Sequence, residues 1–464
     1  MEGANWMEPC AHQDIATLGG VGAKMNRPIG IRTTTACEYL QTGIRRGTAS
    51  FAKIEQKVGP IIEDVRRRGD QAVLDYTAKF DGADSVPDSI EVASVDIDRA
   101  YSIVDEGIVR ALRKAANNIR RFHERQVQQT SVCILDDGTM MGQIIRPIER
   151  VGLYVPGGAA AYPSSVLMGA IPARVAGVSS VIACTPPGPG GAANPYVLVA
   201  ADIAGVDRVF KVGGCQAIAA MAFGTETICA VDKIAGPGNA YVTAAKRLVF
   251  GYVDIDMLAG PSELMVLADK YADPSFAAAD LLSQAEHGPD SEAILVTTSR
   301  GLAVSVAREI NCQIESLSRR NTIAHSLSEH GLIVIADDLD QAIDVVNSYA
   351  PEHLEVLVDN PHAILGRLRN AGSILLGPLT PVAATDYAAG PNHVLPTGGT
   401  ARSQSPLSVR DFVKIQNVTS LTRASLDDML DAAETVARVE GLDAHAAALV
   451  ARRINCNDCN SSDE

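Results

Sequence analysis

Aromatic residues are scarce in this chain of 464 residues: they make up 4% of it, and tryptophan occurs once. This scarcity argues against the stacked aromatic surfaces that bind single-stranded nucleic acid or long sugars, and it leaves small polar substrates open. No apolar run approaches the roughly 18 residues that span a bilayer, and the N-terminus lacks the charged and then apolar pattern of a signal peptide. We therefore expect no membrane partner.

Basic residues are also few, because 40 Lys and Arg stand against 55 Asp and Glu, a net charge of −15. A general nucleic-acid binder carries the opposite sign, so we expect no nucleic-acid partner. The nine cysteines are an odd number scattered along the chain, unlike a disulfide framework, which favours a reducing, cytoplasmic location. Cys456 and Cys459 form a CxxC pair without a second metal-binding pair nearby, and we interpret them as tail residues.

Hydrophobic residues, by contrast, make up 47% of the chain, which is typical of a folded protein of two to four domains with a sizeable core. Short β-branched runs alternate with alanine-rich helical stretches. This alternation predicts an α/β fold whose parallel sheets are covered by helices on both faces. The predicted strands are Val151–Val155, Ser180–Cys184, Arg208–Val212, Leu264–Ala268, Ala293–Thr297, Leu332–Ala336 and Ser373–Leu376.

Helical patterns flank and follow these strands. The apolar spacing over residues 104–122 predicts one long amphipathic helix. Beyond Pro406 the strand pattern stops, and Ser425 with Asp428 predicts a capping box that opens a helix ending at Gly441. A further short helix should follow it.

Glycine marks the candidate ligand loops, since several predicted strands run directly into it, as at Gly157-Gly158 and Gly213-Gly214. Ligand loops of α/β sheets lie at these carboxyl ends. Further glycine-rich loops are Gly236-Pro237-Gly238-Asn239 and Gly260-Pro261-Ser262-Glu263. There is no GxGxxG, GxxxxGK[ST] or HExxH motif, which weakens a standard Rossmann, phosphoryl-transfer or zinc-protease interpretation.

Two short segments carry candidate metal or acid–base groups. Asp273 as N-cap, Pro274 in the first turn and Gly288 as the stop predict a helix whose last turn presents Gln284 and His287 on one face. That arrangement suits a metal, but the pair alone is nonspecific and a surface-capping histidine is the more ordinary interpretation. Glu352 and His353 follow a proline and are the residue types that transfer protons near neutral pH, but a helix N-terminus with an acidic first turn is the alternative.

A third segment, residues 385–397, packs Asp386, Asn392 and His393 into a Gly/Pro loop with little apolar content. Constrained polar residues of this kind favour a functional loop, and a network of Asx turns is the alternative.

Taken together, these motifs resemble the histidinol dehydrogenase family from about Ile61 to Ala447. The runs that carry the resemblance are VGLYVPGG, AYPSSVLMGAIPARVAGV, GGCQAIAAMAFGTET, KIAGPGNAYVTAAKR, DMLAGPSELMVLAD, LLSQAEHGPDS, YAPEHLE, DYAAGPNHVLPT and EGLDAH. The first 50 or so residues and the stretch LSVRDFVKIQNVTSL match poorly. The resemblance implies a zinc-dependent, NAD-linked enzyme that oxidises L-histidinol through the aldehyde to L-histidine, the end of histidine biosynthesis.

The resemblance also implies roles for individual residues. Glu352 and His353 would transfer protons, and Tyr154, Gln216 and Asn239 would contact NAD. The implied zinc ligands are Gln284, His287, Asp386 and His445, and the implied substrate contacts are Ser262, Gln284, His287, His353, Asp386, His393, Glu440 and His445. A homodimer is implied as well, in which Glu440 and His445 reach the partner's zinc.

The implied fold has two incomplete Rossmann-like parallel-sheet domains and small helical or extended segments at both ends; a loose echo of 153–170 in 373–390 leaves an internal duplication open. We predict these limits: an N-terminal segment over 1–52, a metal and catalytic domain over 53–153 and 262–405, an NAD domain over 154–261, and a C-terminal dimerisation segment over 406–464. Three alternatives stay open: a related NAD-dependent dehydrogenase acting on another small polar alcohol or diol, a zinc hydrolase, and a non-catalytic dimeric scaffold.

Overall fold

The computed structural model describes residues 29–42, 52–157 and 161–454. Its strands are β1 (Arg32–Thr35), β2 (Ser131–Ile134), β3 (Met140–Pro147), β4 (Arg150–Tyr154), β5 (Ser180–Thr185), β6 (Arg208–Lys211), β7 (Lys233–Ala235), β8 (Asp254–Ile255), β9 (Glu263–Ala268), β10 (Glu292–Thr297), β11 (Leu332–Ile335), β12 (His353–Leu357), β13 (Ser373–Leu376) and β14 (Val413–Ser420). The interpretations made for Gly158, for the CxxC pair of the tail and for the first 28 residues lie outside the described residues.

The α-helices of the same residues alternate with these strands for most of the chain. They are α1 (Ala36–Thr42), α2 (Ala52–Arg68), α3 (Asp70–Phe80), α4 (Ser94–Ile103), α5 (Glu106–His123), α6 (Pro163–Ala176), α7 (Pro195–Ala204), α8 (Gly214–Phe223), α9 (Ala240–Val249), α10 (Pro274–Ala285), α11 (Arg300–Gln313), α12 (Arg320–Glu329), α13 (Leu339–Tyr349), α14 (Pro361–Ile364), α15 (Val382–Ala384), α16 (Arg423–Val439) and α17 (Asp443–Ile454).

A six-stranded parallel sheet in the order β1-β11-β10-β9-β12-β13 forms one layer of the first compact unit, which comprises the described residues within 1–126 and 148–412. Successive side chains of a strand point to opposite faces. On β9, Leu264 and Val266 therefore pack with α10 to α12, whereas Met265 and Leu267 pack with α1 and α13. Helices thus cover both faces, as the sequence predicts.

A five-stranded parallel sheet in the order β6-β5-β4-β7-β8 belongs to the same unit. Val151 and Leu153 of β4 pack with α5 to α7 on one face, and Tyr154 packs with α2, α3, α8 and α9 on the other. The fold class is therefore confirmed: two parallel, Rossmann-like sheets, each buried between helices.

The N-terminal helices pack differently from the predicted division of domains. That division groups residues 53–153 with 262–405. In the structure, the buried residues of α2 and α3, and those of α4 and α5, share hydrophobic clusters with β4 to β6 of the five-stranded sheet. Apolar faces show that a helix is buried, but they do not show which sheet buries it. The exact domain limits stay a prediction.

The second compact unit comprises residues 127–147 and the described residues from 413 onward. Here β3 pairs antiparallel with both β14 and β2, so the expectation that strands stop after Pro406 is wrong. The N-cap of α16 is Thr422, whose hydroxyl accepts the Ser425 N–H, and not Ser425 itself. Gly441, at φ +74°, follows the helix as predicted.

No helix among the described residues is both long and apolar enough to cross a membrane.

Candidate active site

The end of α10 presents the first pair of predicted ligands. Asp273 caps the helix by accepting the Ser275 N–H at 2.8 Å, as predicted. The helix ends at Ala285, earlier than expected, so Gln284 lies in the last turn and His287 just beyond it. Gln284 is 1% exposed, and neither its amide oxygen nor its amide nitrogen has a hydrogen-bond partner. A buried amide left without partners needs an explanation, and a ligand supplies one.

Glu352 and His353 lie at the start of a strand, which corrects the predicted helix N-terminus. Helix α13 ends at Tyr349, Ala350 takes up a left-handed conformation at φ +57°, and β12 begins at His353. Pro351 cannot continue the helix and is common just after such an end. The pair is therefore buried at the amino end of a central strand instead of exposed on a helix.

His353 links three groups of the site. Its Nδ1 lies 3.3 Å from the backbone carbonyl oxygen of Glu263, and its Nε2 lies 3.3 Å from Oδ1 of Asp386. The Glu352 carboxylate is 3.8 Å from Nδ1. The structure therefore brings the predicted proton-transfer pair and one predicted zinc ligand into one cluster.

Asp386 and His393 belong to the Gly/Pro loop, which forms a π-helical turn over Thr385–Ala389. The His393 Nδ1 lies 2.9 Å from the Asp386 carbonyl oxygen. Gly390 closes the turn at φ +123°, and a Cβ there would approach the Asn118 carbonyl oxygen to 2.8 Å, so only glycine fits. In this loop Asp386 is buried and His393 is partly buried, whereas Tyr387 is exposed.

The acid–base groups of the cluster are shifted in pKa. Burial raises the pKa of Glu352 because the charged form is poorly solvated there. Burial by itself lowers the pKa of His353, but the neighbouring Glu352 and Asp386 carboxylates outweigh it and raise the pKa above its ordinary value. Burial also opposes ionisation of Asp386, yet its hydrogen bond with His353 and the nearby His393 and His287 hold its pKa below the usual range.

Two of the predicted metal ligands, His287 and Asp386, lie near each other. His287 lies within electrostatic reach of Asp386. Among the described residues, no group of three or more His, Cys, Asp or Glu side chains is arranged so that it could hold a metal ion. The predicted set contains just two such residues in the first unit, His287 and Asp386, and adds the amide of Gln284. The unpartnered Gln284 oxygen fits a metal ligand, and the set needs a further donor.

The predicted cofactor contacts lie at the carboxyl ends of the five-stranded sheet. The Tyr154 hydroxyl, at the end of β4, accepts the Gly214 N–H at 3.1 Å. Gln216, in the first turn of α8, is fully buried, and its Nε2 has no partner. Asn239 caps α9 by accepting the N–H groups of Tyr241 and Val242. This edge is where Rossmann-like sheets bind dinucleotides.

A buried ion pair that the sequence did not indicate holds the glycine-rich loop that begins at Gly236. The Lys246 ammonium pairs with the Asp256 carboxylate and donates to the Gly236 carbonyl at 3.0 Å. Asp256 in turn accepts the Gly236 N–H at 2.8 Å. These groups come from a helix, a strand end and a loop, so no local pattern could have revealed them.

The remaining predicted contacts lie at the edge of the first unit and in the second unit. Ser262 is partly exposed, directly before β9. Glu440 is the exposed C-cap of α16, and His445 is exposed in the first turn of α17. Both line an apolar groove between these two helices.

Two Rossmann-like sheets with a buried carboxyl–imidazole pair define the class of protein, an α/β enzyme. The model of the family "Histidinol dehydrogenase" matches residues 44–453. The chain belongs to the histidinol dehydrogenase family, a family of enzymes of histidine biosynthesis. The resemblance inferred from the sequence motifs is thereby confirmed.

Relatives and a solved structure agree with this assignment. The chain is 51% identical to histidinol dehydrogenase of Heliobacterium mobile over 428 residues, which cover 92% of this chain and 99% of the relative. It is 49% identical to histidinol dehydrogenase of Bacillus subtilis over 91% of this chain and 98% of that one. The crystal structure of histidinol dehydrogenase from Elizabethkingia anophelis superposes with a TM-score of 0.87 at 38% identity, covering 92% of this chain and 99% of the other.

Proposed function

We propose that the protein oxidises L-histidinol through L-histidinaldehyde to L-histidine, using zinc and two molecules of NAD per substrate. The observation that carries the proposal is the buried cluster of Glu352, His353 and Asp386, a carboxyl–imidazole pair beside a second acid. Each of the two oxidations of one carbon requires the removal of a proton, and a pair of different bases can accept the two protons.

We assign one proton transfer to each member of the pair. His353 would take the hydroxyl proton of the alcohol while hydride leaves the same carbon. Glu352 would take a proton from the water that adds to the aldehyde, before the second hydride leaves. Each side chain is buried, so neither proton is exchanged freely with bulk water during a step.

The proposed zinc would be held by Gln284, His287, Asp386 and His445. Zinc with nitrogen and oxygen ligands orients a substrate that carries imidazole and amino nitrogens and lowers the cost of negative charge beside it. The buried, unpartnered amide of Gln284 supports this assignment, because a side chain of that kind is otherwise unsatisfied.

The proposed NAD contacts are Tyr154, Gln216 and Asn239, and NAD supplies the hydride acceptor for both oxidations. The loop from Gly236 to Asn239 supports this assignment, since glycine lets the backbone approach a phosphate closely. The unpartnered Nε2 of Gln216 adds a buried donor at the same edge of the sheet.

We further propose that the protein acts as a cytoplasmic homodimer. In this arrangement Glu440 and His445 of each chain would complete the site of its partner. Ser262 and His393 would be further substrate contacts. The exposure of Glu440 and His445 on the second unit supports the proposal, because a ligand to a partner's metal must be free to reach it.

The test is the yield of NADH per L-histidinol consumed by the metal-replete protein, with a chelator-treated control. We expect two NADH per substrate and loss of turnover on chelation. The variants Glu352→Gln and His353→Asn should abolish turnover, whereas His362→Asn, an exposed histidine on α14, should not. One NADH per substrate would indicate release of the aldehyde. No NADH would refute the substrate and favour another small polar alcohol.

A further inference from the structure

Glu263 lies between the proposed catalytic pair and a glycine turn, although neither the motifs nor the proposed function assigns it a role. It is the first residue of β9 and is 1% exposed. Its Oε1 accepts the Gly398 N–H at 2.6 Å, and its Oε2 lies 3.4 Å from the Glu352 N–H. A buried carboxyl group requires such donors, because an unpaired one would be costly.

The backbone of Glu263 contacts the same pair a second time. Its N–H donates to Oε2 of Glu352 at 2.7 Å, and its carbonyl oxygen lies 3.3 Å from Nδ1 of His353. A carbonyl oxygen only accepts, so Nδ1 must carry the proton. One residue therefore contacts both members of the pair through its backbone and orients the His353 ring and the Glu352 carboxylate.

The glycine turn is tied to the same strand at another point. The Thr397 hydroxyl accepts the Gly260 N–H at 2.5 Å. Ser262, the proposed substrate contact, lies between this bond and Glu263. Gly398 and Gly399 both have positive φ, a conformation that glycine adopts without strain. The hydrogen bonds to Glu263 and Gly260 hold this turn against residues 260–263.

We propose that Glu263 is a positioning residue for catalysis. Its carboxylate joins the Thr397–Gly398 turn to the backbone of Glu352, and it thereby holds the acid–base pair and Ser262 in one geometry. This inference rests on the proposed function, because it takes Glu352 and His353 as the proton-transfer pair. A misplacement of about 1 Å costs on the order of 100-fold in rate, so such a residue should affect turnover without touching substrate.

Glu263→Gln is the informative variant. The glutamine oxygen can still accept the Gly398 N–H, but its amide nitrogen cannot accept from Glu352. We expect kcat to fall between about 10- and 100-fold, with the KM for NAD unchanged. Glu263→Ala removes both bonds, and amide hydrogen exchange of residues 397–399 should then accelerate at least tenfold.

The matched control is Glu355→Gln, which changes a second buried carboxyl group of the same sheet. Glu355 is paired with Asp280, and none of its described bonds is to the catalytic pair or the glycine turn. If Glu263 were a merely structural residue, both glutamine variants would lower the melting temperature and leave kcat per folded site alone. That result, or unchanged exchange of residues 397–399 in Glu263→Ala, would overturn the inference.

Different results would refute the proposed function of the Glu352–His353 pair and the positioning role of Glu263. If Glu352→Gln keeps full turnover, the proposed function of the pair is wrong, whatever Glu263 does. If Glu352→Gln is inactive and Glu263→Gln is fully active, only the positioning role is wrong. Hydrogen exchange is measured without substrate, so it tests the hold on the turn even where no turnover is found.

Discussion

Gly236, in the proposed NAD loop, offers a quantitative test of how closely that loop must approach β4. Its φ is +116°, and a Cβ built on it would lie 2.2 Å from the carbonyl oxygen of Tyr154. A backbone atom cannot move aside as a flexible side chain can. Gly236→Ala should therefore push the loop away from Tyr154 and weaken NAD binding.

The expected magnitude has two parts. A positive φ for a residue other than glycine costs about 1–3 kcal/mol, and crowding of a packed site adds about 1–3 kcal/mol. Gly251 separates the two, because it has a similar φ of +101° but no atom within 4 Å of the point where a Cβ would lie. Gly251→Ala should therefore show the conformational cost alone, and Gly236→Ala should exceed it by about 1–3 kcal/mol.

The assays are the urea midpoint of unfolding and the dissociation constant for NAD. Gly236→Ala should unfold at lower urea than Gly251→Ala and bind NAD at least tenfold more weakly than the unmodified protein. Gly251→Ala should bind NAD normally. Equal urea midpoints, or normal NAD binding by Gly236→Ala, would refute the close approach as the reason for glycine at this position.

Three further predictions concern the metal, the buried ion pair and the second buried acid. Bound metal stabilises a folded protein by about 3–4 kcal/mol at 100 to 1,000 times its Kd, so a chelator should lower the melting temperature of the unmodified protein. It should leave that of His287→Ala unchanged; an equal shift in both would contradict the assigned ligand. Lys246→Met leaves Asp256 buried without its cation, and the loss of about 3–5 kcal/mol should appear in the urea midpoint. Adding Asp256→Asn should recover part of this loss, and no recovery would argue against the charge as its cause. Burial raises the pKa of both Glu355 and Asp280, so the folded state binds more protons than the unfolded state. The stability that this contributes is fully present at acid pH. It is lost as the pH rises from about 4 toward the raised pKa of the folded state. Glu355→Gln should flatten this decline in melting temperature between pH 5 and pH 9, and parallel curves would show that the acid does not titrate on unfolding.

All seven strands that local patterns predicted are present, and so is the predicted Asp273 cap. The runs over Ser180–Cys184, Ala293–Thr297 and Ser373–Leu376 all form strands, and the helix predicted over 104–122 is α5. Asp273 caps α10 as its side chain and the following proline indicate. These features depend on the chemistry of neighbouring residues, which a single sequence contains in full.

The strand β12 was missed because its burial hides the usual pattern. Its five residues, from His353 to Leu357, are all buried, including the carboxyl group of Glu355. In a sequence, the charged residues of a central strand look like the polar face of a helix. Glu355 is buried here beside Asp280, which lies on a neighbouring helix and bonds to its side chain. A similar limit applied to β14, whose partner β3 lies more than 250 residues away in the chain.

The sequence by itself determined the family, the alternation of strands and helices, and the identity of the candidate acid, base and ligand residues, because motifs and periodicity are local properties of the chain. Tertiary structure alone decided which sheet buries the N-terminal helices, that His353 lies against Asp386, and that Glu263 joins Glu352 to Gly398. These hydrogen bonds of the site join residues separated by at least 33 positions. Such contacts form only when buried polar groups find partners as the sheets pack, and no short window of sequence contains both partners.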